Sequence, residues 1–176
     1  QGLPYRLVSD GLVVENAMID ALAASRERRQ HIVTYLVEYN LADAREIAIA
    51  ASQEFGAPLL DLDAIQPDLE ILRLVSEKTI RKHRVLPLVK RGKRLFVAIS
   101  DPTNLHALDE VKFATGMTME PIVVEDDKLG AIVKRMSEGA SRALDMATED
   151  VDLTGVEVAD IDLPPEVVTE EIDDAP

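Results

Sequence analysis

The sequence predicts an α+β protein: a tandem helical repeat, then a small three-stranded α+β subdomain, then an acidic flexible tail. Three observations carry this. Residues recur at a spacing of 29 through the first third; two apolar runs meet at Arg91-Gly92 and a third follows a helical pattern; and the net charge of −14 is gathered at one end. At 176 residues and 47% hydrophobic, the chain can bury a sizeable core.

The repeat places Leu3 on Ile32, Leu7 on Leu36, Val8 on Val37, Leu12 on Leu41, Met18 on Ile47 and Ala21 on Ala50. Two copies of one helical unit follow from this period. Each copy has a short apolar helix, then Gly11-Leu12 or Asn40-Leu41, then a second helix over residues 16–25 or 43–54. Gly and Asn are the residues that most readily close a helix in the left-handed conformation, so their equivalence has a physical cause.

Phe55-Gly56-Ala57-Pro58 breaks the helical pattern, and a subdomain boundary is placed near Pro58. Residues 67–74 and 76–83 read as short helices. Residues 85–90 and 93–99 are apolar runs around Arg91-Gly92, a hairpin signal in which Gly supplies the turn. Asp101-Pro102-Thr103-Asn104 offers caps to a helix carrying Leu105, Leu108 and Val111, with Gly116 at its end. Residues 119–125 read as the third strand, and Leu129, Ile132, Val133 and Met136 as one face of an amphipathic helix. The expected units are a repeat module over 1–58, an α+β subdomain over 59–139, and an acidic linker over 140–176.

Twelve acidic residues lie between Asp145 and Pro176 and no Lys or Arg follows Arg142, which leaves about −2 for residues 1–144. The last segment reads as a solvated linker, although the alternation over 156–163 also suits a strand adding to a sheet edge. The start without Met and the acidic, proline-containing end lead us to expect a piece of a longer chain. No apolar stretch approaches the roughly 20 residues of a membrane span, so no direct membrane insertion is expected. There is no cysteine, hence no disulfide or thiolate metal site.

The residues of 53–62, Gln-Glu-Phe-Gly-Ala-Pro-Leu-Leu-Asp-Leu, resemble the N-terminal region of the type IV pilus assembly (extension) and type II secretion ATPase family. So do residues 83–88, 95–104 and 107–116, in their order and spacing, and the resemblance covers residues 1 to 139. It implies that a hexameric ATPase core follows in such proteins. No G-x-x-x-x-G-K-[ST] phosphate loop occurs among the eight glycines, so the chain is not expected to be an enzyme and no cofactor is expected.

The resemblance also implies a test for cyclic di-GMP binding, which in some family members uses an Arg and a Gly at the start of each repeat and a Gln near its end. Gly2 and His31 stand at the Arg positions, Pro4 and Val33 at the Gly positions, and Ser25 and Glu54 at the Gln positions. An Arg pairs bidentately with phosphate and Gly allows close backbone approach; these substitutes do neither, and Glu54 would repel phosphate. Direct cyclic di-GMP binding is therefore expected to be lost. The implied partners are a protein regulator, with a PilZ-type adaptor suspected, the chain's own ATPase core, and the pilus inner-membrane platform, in a cytoplasmic setting peripheral to the inner membrane.

With those ligands gone, an apolar face of Leu3, Tyr5, Leu7, Val8, Tyr35 and Tyr39 is the candidate partner interface. Packing between repeat helices is the plainer reading of the same residues. Lys78, Arg81, Lys82, Arg84, Lys90, Arg91, Lys93 and Arg94 form a basic cluster that is a solvated face or a dock for the acidic tail or a neighbouring subunit. It lacks the interleaved aromatics of a nucleic-acid surface, so no nucleic acid is expected. His31, His83 and His106 fit no ligand motif and no metal is expected. Asp101 and Asp109 read as a helix cap and a surface charge.

Overall fold

The computed structural model describes residues 2–149. The two repeat units are helices α1 (Leu3–Ser9), α2 (Glu15–Glu27), α3 (Ile32–Glu38) and α4 (Ala44–Phe55). Their turns match bond for bond. Gly11 and Asn40 both adopt left-handed backbone, at φ 73° and 53°. The amides of Leu12 and Leu41 then donate to the carbonyls of Leu7 and Leu36 at 2.9 and 2.8 Å. The α4 start is fixed by Asp43, whose Oδ1 accepts from the amides of Arg45 and Glu46 at 2.9 and 3.1 Å. Gly56, left-handed at φ 66°, ends α4.

A 3-10 turn (Leu62–Ala64) and short helices α5 (Leu69–Leu72) and α6 (Glu77–His83) lead into strands β1 (Leu86–Arg91) and β2 (Arg94–Ile99). These pair antiparallel around Gly92 at φ 61°. Helix α7 (Leu105–Thr115), capped by Asn104 and closed by Gly116, returns the chain so that β3 (Thr118–Val123) runs parallel to β2. The sheet order is β1-β2-β3. Helix α8 (Asp126–Glu149) follows. The α+β class expected from the sequence is the observed one.

Buried residues form two clusters. One gathers Leu3, Leu7, Met18, Leu36, Ile47 and their neighbours from α1–α4, together with Val123. The other runs from Leu62 to Val133 around the sheet. Val123, at the end of β3, is the point where the sheet reaches into the repeat core. Its amide donates to Pro58 O at 2.8 Å and its carbonyl accepts from the Leu60 amide at 2.9 Å, so the connection between the halves lies along the β3 edge.

One boundary differs. Helix α8 continues ten residues past 139, where the acidic linker was placed. Ala140, Arg142, Ala143, Leu144 and Met146 are good helix formers with no proline among them, and this outweighs the falling hydrophobicity. The helix leaves the body here: Leu144 and Met146 are exposed. The rest of the expected linker, 150–176, lies outside the described residues.

Candidate functional site: the seam between the repeats and the sheet

Helix α3 packs on α8, and a buried polar pair joins them. Thr34 Oγ1 donates to Asp126 Oδ1 at 3.1 Å, both residues being buried. From the other side Arg84, which closes α6 in left-handed backbone at φ 51°, donates from Nη2 to Asp126 O at 3.0 Å. The same nitrogen sits 3.1 Å from Asp126 Oδ2, an ion-pair contact without hydrogen-bond alignment. Gly130, one turn along α8, leaves the room for the guanidinium: a Cβ there would fall 1.9 Å from Arg84 Nη2.

A second polar link crosses the seam. His31 caps α3, its Nδ1 accepting from the Val33 amide at 3.2 Å. In the uncharged ring the proton is therefore on Nε2, which faces Asp101 Oδ2 at 3.3 Å. Burial pushes the Asp101 carboxyl up, but the bonds from His31 and from the Thr103 hydroxyl and amide outweigh it and hold the group below its ordinary value. Asp101 is thus a buried seam residue, while the cap of α7 is Asn104.

Between these links opens a cleft of about 430 Å³, walled on the repeat side by Arg28, Arg29, Gln30, His31 and Thr34 and on the other by residues 81–84 and Asn104. Four arginines, Arg28, Arg29, Arg81 and Arg84, are among its lining residues. Such a lining suits an anion. Elsewhere, His83 and His106 come together, ring centroids 5.2 Å apart, with His83 Nε2 2.8 Å from Glu110. Among the described residues no group of three or more potential ligands is arranged to hold a metal ion. No helix among them is long and apolar enough to cross a membrane.

The MshEN domain family matches residues 55–143, half of the chain. The chain belongs to the MshEN domain family. Among curated relatives, the type IV pilus assembly ATPase PilB of Pseudomonas aeruginosa is 38% identical over 176 residues, covering 99% of this chain and 31% of that protein. PilB of Acinetobacter baylyi is 43% identical over 128 residues, 73% of this chain and 22% of that protein. The chain spans less than a third of the length of these relatives. The solved N-terminal domain of XpsE superposes with a TM-score of 0.62 at 22% identity, covering 77% of this chain and 96% of that one. MshE with cdg gives 0.58 at 23% identity, covering 77% and 98%. Together they support the N-terminal region of a pilus or secretion ATPase, as the sequence motifs implied.

In this MshEN chain the expected partner face does not form as one surface. Leu3 and Leu7 are each 1% exposed and belong to the repeat core, which corrects their assignment to an interface. The 3.6-residue period that made them look like a face is the period that buries them. Tyr5 is exposed at 68% and Val8 is half-buried, both on α1, which packs on α2 and α4. Tyr35 and Tyr39 lie on or just past α3, stacked at 4.4 Å, with Arg28 over the Tyr39 ring and bonded to its hydroxyl.

The six degenerate nucleotide positions are occupied by other tasks. Val33 and Ser25 are buried, the Ser25 hydroxyl donating to Leu22 O at 3.1 Å. Glu54 pairs with Arg6 at 3.1 Å, His31 is committed to the seam, and Gly2 and Pro4 precede and open α1. The basic cluster divides as well. Arg84 holds the seam, Arg94 pairs with Glu120 at 2.8 Å and Lys82 with Glu110 at 3.6 Å. Arg81 lines the cleft, whereas Lys78, Lys90, Arg91 and Lys93 are exposed. Thr34, Asp126, Arg28 and Arg29 carried no local motif. The isolated Gly130 inside an amphipathic helix was the one available signal, since such a glycine usually has a packing reason.

Proposed function

We propose that this chain is the non-catalytic regulatory and protein-interaction domain of a type IV pilus assembly motor. It receives a protein regulator, a PilZ-type adaptor, on the repeats and couples that event to a hexameric ATPase core through α8. The observation that carries this reading is the buried Thr34–Asp126 bond: the repeat module is tied to the first turn of the long helix that leaves the body toward the C-terminus. A change at α3 is thereby a change at the base of α8. The working location is the cytoplasm, peripheral to the inner membrane through the pilus machinery and its platform.

Direct cyclic di-GMP binding is lost in this reading, although MshE, a neighbour in fold, was solved with cdg. Support comes from the six positions: two are buried, one is a glutamate already paired with Arg6, and one is a histidine engaged with Asp101. A pull-down with a purified PilZ-type adaptor tests the first part, and failure to bind at roughly tens of micromolar would sink it. Calorimetry with cyclic di-GMP tests the second: silence is expected, and one-to-one heat would show a sensing domain instead.

A further inference from the structure

The cleft beside the seam holds more positive charge than its neighbours neutralise. Arg84 is taken by Asp126 and His31 by Asp101. Arg28 and Arg81 instead bond neutral hydroxyls, those of Tyr39 and, at 2.8 Å, Ser137. Among the described residues no carboxylate pairs with Arg29. Three arginines without a carboxylate partner thus line one cleft of about 430 Å³. Two of the lining arginines sit at helix ends: Arg29 at φ 53° follows α2 and Arg84 at φ 51° closes α6.

We propose that the cleft is the docking site of the chain's own acidic segment beyond Glu149. Charge and reach both select this occupant. Ten of the last 27 residues are acidic, and no Lys or Arg follows Arg142 to neutralise them from within. Arg81 meets α8 at Ser137, twelve residues before Glu149, a distance of about 18 Å along the helix at ~1.5 Å per residue. About six extended residues, at ~3.3 Å each, cover that way back. A chain of that length suffices to bring Glu157, Asp160 or Asp162 to Arg81, the cleft residue that meets α8. Tethering raises the local concentration of these carboxylates to the millimolar range, enough for pairing that would be weak between separate molecules. A carboxylate in the cleft also competes with Asp126 for Arg84, so occupancy bears on the seam itself. The inference stands apart from the regulator reading and needs no adaptor.

The test is amide NMR of the full 176-residue chain. The variant E157Q/D160N/D162N leaves the folded body untouched. It is expected to move the amide signals of residues 28–31 and 81–84, and R29E/R81E to move them likewise. The difference should vanish near 0.5 M salt, where screening acts within about 4 Å. Combining R29E/R81E with D160K/D162K should restore the wild-type positions at low salt. Identical cleft signals in the wild type and the tail variant at low salt would overturn the proposal. So would cleft signals that ignore the tail but shift with millimolar inorganic phosphate, because the occupant would then be a small anion.

Discussion

The hydroxyl of Thr34 and the carboxylate of Asp126 lie 3.1 Å apart, 92 residues apart in sequence, at the one buried side-chain hydrogen bond among the described residues that joins the repeats to α8. Arg84 reaches the same carboxylate from α6. Removing one partner of such a group leaves the others unpaired out of water, which is why the expected effects are unequal. Thr34→Val should cost about 1 kcal/mol, and Asp126→Ala about 2–4 kcal/mol, because it leaves the Thr34 hydroxyl without its acceptor and Arg84 without its carboxylate, though not without its bond to the backbone carbonyl at 126. Chemical denaturation of the single and double variants measures the coupling, and additive effects would show that the contact does not form.

Gly130 is expected to behave oppositely in two backgrounds. In the wild type, Gly130→Ala displaces the Arg84 guanidinium and should destabilise or at best break even. In an Arg84→Ala background the space is free, and the same change should stabilise by up to about 1 kcal/mol through helix propensity. Thermal melts of the four proteins decide it.

The Asp101 carboxyl sits below its ordinary value of 3.8 in the folded protein. A depressed acid contributes stability that is present above the unfolded value and is lost as pH falls through the folded one. Acid unfolding should therefore steepen below about pH 4, and Asp101→Asn should flatten that limb while leaving neutral-pH stability lower. Urea midpoints between pH 2 and pH 7 measure both. Nitrogen NMR of His31 in its uncharged form should show the proton on Nε2, as the α3 cap requires.

Equivalent turns of the two repeats should respond in opposite directions. Gly11→Ala places a Cβ at φ 73° and should cost about 1–2 kcal/mol, whereas Asn40→Gly at φ 53° should be neutral or stabilise by a few tenths of a kcal/mol. Likewise Leu7→Ala should cost about 2–5 kcal/mol and Tyr5→Ala less than about 0.5 kcal/mol, separating core from surface on one helix. A regulator that docks on α1 should then be lost with Tyr5→Ala while stability is kept.

Signals that act over a few residues were legible in the sequence. The Gly11/Asn40 equivalence, the hairpin at Gly92 and the stop at Gly116 all depend on local backbone sterics, and each stands where the residue type requires it. Periodicity showed that Leu3 and Leu7 form an apolar stripe but not which side of it is covered, since α4 lies some 40 residues away in the chain. The seam was illegible for the same reason: Thr34, Arg84 and Asp126 come from three separate elements and share no motif. The parallel pairing of β3 followed from the length and direction of α7, and the extra turns of α8 from helix propensity outweighing a loss of hydrophobicity.

The most direct test of the coupling account is hydrogen exchange on the chain with and without a purified PilZ-type adaptor, in the absence of cyclic di-GMP. The account predicts slower exchange on the exposed face of the repeats and altered exchange in the first turns of α8, with the α8 response abolished by Thr34→Val, which removes the donor of the coupling bond. Unchanged exchange throughout at saturating adaptor, or a change confined to the repeats with α8 indifferent, would contradict it.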